Sequence, residues 1–142
     1  MDELSYEADD VDRDRALIVG RQHELELLRR WLAATLAGRG GVVLIGGEAG
    51  IGKTTLVGLL CRQALERGAL VLTGHCYDLT ATPPYGPWLE MTDRYPAGLG
   101  SPELPQVLRR GTEVGNLSNQ LELFEVVRSF FANLSASRPL VL

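Results

Sequence analysis

Residues 47–54 constrain this chain more than any other stretch. Gly47-Glu48-Ala49-Gly50-Ile51-Gly52-Lys53-Thr54 fits the spacing G-x-x-x-x-G-K-[ST] in full. The residues before it, Gly41-Val42-Val43-Leu44-Ile45-Gly46, are apolar and β-branched and predict a strand buried on both faces, as in a parallel sheet. The residues after it, Lys53 to Arg67, put Leu56, Leu60 and Ala64 on one helical face and stop at Gly68. A buried strand, a glycine-rich turn and a helix in that order are the setting a phosphate-binding P-loop requires. Backbone N–H groups from Gly50 to Thr54 can turn inward as a nest for a polyphosphate. Gly47, Gly50 and Gly52 permit the tight turn, and the helix start aims its unsatisfied donors at the anion. Lys53 should reach the β- and γ-phosphates, and the Thr54 hydroxyl should be a Mg2+ ligand. Thr55 extends the contacts towards the α-phosphate, while Ala49 and Ile51 serve through their backbone. Glu48 is expected to point outward. The pattern predicts purine-nucleotide binding, with ATP and Mg2+ as the expected ligands.

Lysine usage supports the same reading. The chain holds 13 arginines and one lysine, Lys53. A compact ammonium on a flexible stem can slide beside two phosphates, where a wide planar guanidinium fits less easily.

Around the motif the pattern is α/β. Ala16–Val19 is a short apolar run, and Gln22–Ala37 is helical, with Leu25, Leu28, Leu32 and Leu36 in register and Gly38 as cap. Ala69–Thr73 predicts a second buried strand, completing a βαβ unit with the usual right-handed crossover. Prolines limit residues 74–118 to short helices, near Trp88–Tyr95 and Pro105–Arg110. Asn119–Ser135 returns to a long helix whose stripe of Leu121, Phe124, Val127, Phe131 and Leu134 should pack on the sheet. Leu140-Val141-Leu142 begins a third strand.

Charge and composition narrow the function classes. The net charge is −4, but residues 2–14 hold seven acids against Arg13, leaving the rest nearly neutral. Residues 1–15 are therefore expected to be an acidic, disordered tail, with 16–142 as the folded part. No apolar run reaches the roughly 20 residues of a membrane span, and the acidic start does not resemble a secretory signal. Cys61 and Cys76 lack metal-site spacing, and His23 and His75 stand alone in sequence. A cytoplasmic location with two reduced thiols follows as the expectation.

Leu17-Ile18-Val19-Gly20-Arg21, the helix opening Gln22-His23-Glu24-Leu25, and the Gly-Glu-Ala-Gly-Ile-Gly-Lys-Thr loop together resemble the ATPase domain of large LuxR-type bacterial transcriptional regulators. That domain is a STAND-like branch of the AAA-related P-loop ATPases. Cys76 with Pro84-Tyr85-Gly86-Pro87-Trp88 resembles the stretch after that family's second strand, and Arg138-Pro139-Leu140-Val141-Leu142 the start of its Walker B strand. The resemblance implies a three-layer P-loop NTPase fold with a parallel sheet, incomplete here because the Walker B acids would follow Leu142. It implies that Val19, Gly20 and Arg21 line the base pocket, and that ATP acts as a switch in a transcriptional regulator. The partners it implies are ATP, other domains of the parent protein and further copies of itself, with no nucleic acid or membrane contact by this segment. It places a later strand beside the P-loop strand, so that an edge stays uncovered here. The chain is then expected to bind ATP and hardly hydrolyse it.

A P-loop small-molecule (nucleotide) kinase is the alternative. Its support is Asp93-Arg94-Tyr95, which resembles the triplet ending a buried strand in nucleotide monophosphate kinases; here the preceding residues are not strand-like. A GTPase base-reading Asn-Lys-x-Asp motif is impossible within the chain, because Lys53 is the only lysine.

Overall fold

The computed structural model describes residues 20–77, 85–96, 102–109 and 120–142. The acidic tail and the Ala16–Val19 run, Val19 included, lie outside the described residues. The chain divides into two units, Met1–Arg67 and Gly68–Leu142.

In the first unit, leucine spacing sets the helices. Helix α1, Gln22–Leu36, buries Leu25, Leu28 and Leu32, and leaves Leu36 half-buried at its end. Gly38, at φ +78, terminates it: the Gly38 N–H donates to the Thr35 carbonyl at 2.9 Å and the Arg39 N–H to that of Ala34 at 2.9 Å. This pairing satisfies carbonyls the helix would otherwise orphan. Helix α2, Lys53–Glu66, packs on α1. Leu25 and Leu28 meet Leu56 and Leu59, with Ile45 and Leu60 at the margin. The Arg29 Nε donates to Gln63 Oε1 across the helix pair at 3.1 Å. The predicted face of α2 holds at Leu56 and Ala64, both buried, and is widened at one position. Leu59 is buried and Leu60 half-buried, because α1 approaches from the 56/59 side of a stripe wide enough to include both.

The segment Gly41–Gly46 departs from expectation. It is not part of the described sheet, and its backbone forms no ladder there. Val42 is 83% and Leu44 93% exposed; Ile45 alone reaches the helix-pair core. A strand exists only through a neighbour, and no described segment hydrogen-bonds to this one. Its start is fixed instead by Trp31, whose ring lies so close to Gly41 that a Cβ there would come within 2.6 Å.

In the second unit, β1 (Leu70–Val71) and β2 (Leu140–Val141) pair in parallel, Leu70 opposite Leu140. The ladder extends through Leu70 N–H to the Pro139 carbonyl at 2.8 Å and Leu72 N–H to that of Val141 at 3.0 Å. Both strands were legible in sequence. Between them lie α3 (Gly86–Asp93), a 3-10 turn (Gln106–Leu108) and α4 (Gln120–Ser137). The core is Leu70, Leu72, Tyr95, Leu108, Phe130, Phe131 and Leu134. Phe130 meets Tyr95 edge to face with centroids 5.3 Å apart, a geometry worth about 1 kcal/mol beyond area burial. The buried Thr92 hydroxyl lies 2.9 Å from the Leu108 carbonyl, joining α3 to the 3-10 turn. The predicted α4 stripe is corrected in its first half: Leu121 and Phe124 are exposed, whereas Leu123 and Phe130 are buried. Leu123 faces Trp88 and Val107 in an apolar cleft between α3, the 3-10 turn and α4.

Candidate functional site

The loop between Gly46 and α2 gets its shape from glycines and its closure from one lysine. Gly50 and Gly52 adopt φ +77 and +89, and Gly52 is the N-cap of α2. At Gly52 the left-handed backbone turns the chain directly into the helix, a conformation that costs any residue with a Cβ roughly 1–2 kcal/mol. The first intrahelical bond of α2 runs from the Leu56 N–H to the Gly52 carbonyl at 3.0 Å. The N–H groups of Lys53, Thr54 and Thr55 are therefore the orphan donors of the helix start. No side chain caps them, and the first turn carries no acid. By contrast, the Ile51 N–H turns to the Glu48 carbonyl at 3.4 Å.

Lys53 folds back over this loop. Its Nζ donates to the Gly47 carbonyl at 2.9 Å and the Glu48 carbonyl at 2.8 Å. The ammonium is thus tied to the first two residues of the loop that leads into the helix. Glu48 is exposed, as are Ala49, Gly50, Thr54 and Thr55. The assembly presents the Lys53 ammonium, a helix N-terminus and uncapped N–H groups, with no acid in the first helical turn and the exposed Glu48 as the carboxylate of the loop. Chemically it can hold a dense anion.

The other predicted site residues are placed less decisively. Gly20 is exposed at φ +88, and Arg21 is the N-cap of α1, its carbonyl accepting the Leu25 N–H at 3.1 Å. Among the described residues neither hydrogen-bonds to the loop. The kinase-like triplet does not end a strand: Asp93 closes α3, and Tyr95 is in the core with its hydroxyl donating to the Pro102 carbonyl at 2.8 Å. Cys61 and Cys76 are free thiols, and partial burial pushes the Cys61 thiol pKa up. Among the described residues no three His, Cys, Asp or Glu side chains cluster as a metal site. No helix among them is long and apolar enough to cross a membrane.

A family model described as AAA ATPase domain matches residues 17–142. The chain belongs to the AAA ATPase domain family. Searches of curated proteins and of solved structures found no match. Membership makes this a P-loop ATPase domain and its α/β architecture that of a nucleotide-binding fold. Magnesium-bound ATP, which such domains generally bind, fits what residues 47–55 present: uncapped donors at a helix start, and an ammonium already drawn to the loop.

One cluster in this AAA ATPase domain was not visible in sequence. His75, just past β1, has Nδ1 2.7 Å from Glu90 Oε1, and its backbone N–H donates to Glu90 Oε2 at 2.9 Å. Arg94 approaches the same carboxylate at 3.6 Å. The His75 ring holds Glu90 below the usual carboxylate range, aided by the His75 backbone N–H and the charges of His75 and Arg94. Glu90 and Arg94 show i,i+4 spacing, a weak sequence signal. His75 is 15 residues away from Glu90, and only the fold joins them.

Proposed function

We propose that residues 16–142 are the ATP-binding module of a signal-responsive transcriptional regulator of the LuxR type, with bound ATP acting as a switch. The observation that carries the nucleotide reading is the uncapped, acid-free start of α2, with the Lys53 ammonium drawn across the loop that precedes it. The regulator reading is supported by the resemblance of Leu17–Arg21 and of Cys76 with Pro84–Trp88. In this reading the backbone of Gly47, Glu48, Ala49, Gly50, Ile51 and Gly52 encloses the phosphates. Lys53 exchanges its two carbonyl partners, at least in part, for the β- and γ-phosphates. Thr54 holds Mg2+ and Thr55 faces the α-phosphate, while Val19, Gly20 and Arg21 line the base. Contacts with other domains of the parent protein, or with a second copy, would read the bound state.

Titration of the chain with fluorescent ATP and Mg2+ tests the site, with Lys53→Ala alongside and circular dichroism to verify folding. Charge-assisted hydrogen bonds contribute about 1.5–3 kcal/mol each, so the variant should bind at least roughly tenfold more weakly. Equal affinity in a folded Lys53→Ala chain would remove Lys53 from the site.

A further inference from the structure

We infer that His75 is a tautomer-locked imidazole that presents the Nε2 lone pair to solvent as a proton acceptor, with Glu90 as its positioning residue. Every residue involved belongs to the Gly68–Leu142 unit, and none to the nucleotide loop.

Glu90, on α3, grips His75 with both oxygens: Oε1 lies 2.7 Å from the ring Nδ1, and Oε2 accepts the backbone N–H at 2.9 Å. The two contacts fix ring and backbone together. An ionised carboxylate only accepts hydrogen bonds, so Nδ1 must be the donor. Arg94, 3.6 Å from Oε1, favours the ionised form. A neutral imidazole carries one proton, and here Nδ1 holds it. Nε2 is then bare whenever the ring is neutral. The His75 side chain is 50% exposed, so the ring is not sealed in the core. The Tyr77 ring lies beside it, with centroids 6.1 Å apart.

Position adds to the chemistry. His75 follows β1 at the carboxyl end of a parallel strand, the end at which open α/β sheets bind ligands. A carboxylate-held imidazole there suits a hydroxyl-bearing ligand, whose proton Nε2 accepts as a hydrogen bond. An unconstrained imidazole favours the opposite tautomer, with the proton on Nε2. Glu90 therefore holds His75 in the less common tautomer, and His23, exposed on α1, provides the internal reference.

Long-range nitrogen–proton NMR spectra of the full chain, recorded above the titration range of histidine, read the tautomer directly. For His75 the expected result is a protonated Nδ1 and a bare Nε2, and Glu90→Ala should return the ring to the Nε2–H form. That variant should also slow acylation of His75 by diethyl pyrocarbonate several-fold, with His23 unchanged. A wild-type His75 carrying its proton on Nε2 overturns the inference, and the wild-type spectrum decides even if the variant fails to fold. A folded Glu90→Ala chain with an unshifted tautomer removes Glu90 as the positioning residue.

Discussion

The two units of this AAA ATPase domain solve different problems with the same kinds of residue. The nucleotide-loop unit has a small core of four buried leucines between two helices, and its strand-like segment leaves Val42 and Leu44 outside. In the other unit, among the described residues, the core cluster holds seven buried residues, three of them aromatic, around two paired strands. Yet the candidate phosphate site belongs to the unit with the smaller described core. The reason is locality. The loop depends on backbone conformation at Gly50 and Gly52, on the start of one helix, and on a lysine that bonds five and six residues back. None of these needs a large core. The strand pair joins residues about 70 apart and closes a long crossover, so it depends on the aromatic cluster packed beneath it.

The largest effect that could break this comparison is a leucine deletion in each core. Leu134 is 1% and Leu56 3% exposed, and each change to alanine should cost about 2–5 kcal/mol. Leu134→Ala should fall at the upper end, because its aromatic neighbours cannot easily collapse into the void. Leu56→Ala should fall at the lower end but also weaken ATP binding, since α2 carries Lys53. Urea unfolding and nucleotide titration on both variants check the pair. A greater stability loss for Leu56→Ala would reverse the comparison.

A smaller effect sharpens it. Gly52→Ala places a Cβ in open space, with no atom within 4 Å. Its cost is therefore backbone strain alone, about 1–2 kcal/mol. If loop geometry is encoded locally, nucleotide affinity should fall by a similar factor, while the environment of Phe130 and Phe131 stays unchanged in near-ultraviolet circular dichroism. Unaltered binding by Gly52→Ala would mean the left-handed turn is dispensable.

The same division explains what sequence could reveal. The loop, both flanking helices and the two paired strands were legible, because glycine spacing and leucine periodicity are local signals. The Gly41–Gly46 segment was misread as a buried strand: its apolar, β-branched residues are a local signal, but pairing is a property of a neighbour, and among the described residues the segment is unpaired and largely exposed. In α4 the apolar residues at 121, 123, 124, 127, 130, 131 and 134 form a stripe too broad for periodicity to choose an edge. The fold makes that choice: Leu123 is buried and lines the cleft with Trp88 and Val107, whereas Phe124 on the same cleft stays half exposed. The His75–Glu90 pair had no signal beyond Glu90–Arg94 spacing, because it forms only once α3 lies beside the end of β1.

That pair gives the smallest expected effect, on acid sensitivity. Glu90 is held below its ordinary pKa in the folded chain, by the His75 ring first and the His75 backbone N–H next. In the window between its lowered folded pKa and its unfolded value, the unfolded chain binds more protons. Stability from this group is thus complete above the ordinary carboxylate pKa and declines as pH falls through the folded one. Glu90→Gln removes the titrating group, so its stability should fall less steeply on acidification than that of the wild type. The Glu125–Arg128 pair on α4 also lowers a carboxylate pKa, that of Glu125, but it is common to both proteins and cancels. Denaturant midpoints from about pH 6 to pH 3, spanning the carboxylate range, make the comparison. Identical slopes would mean the carboxylate gains nothing from His75 in solution, so the contact that ties α3 to β1 would be dispensable. A shallower slope in Glu90→Gln would show that the second unit, with the larger described core, also holds an acid-sensitive tie between its sheet and α3.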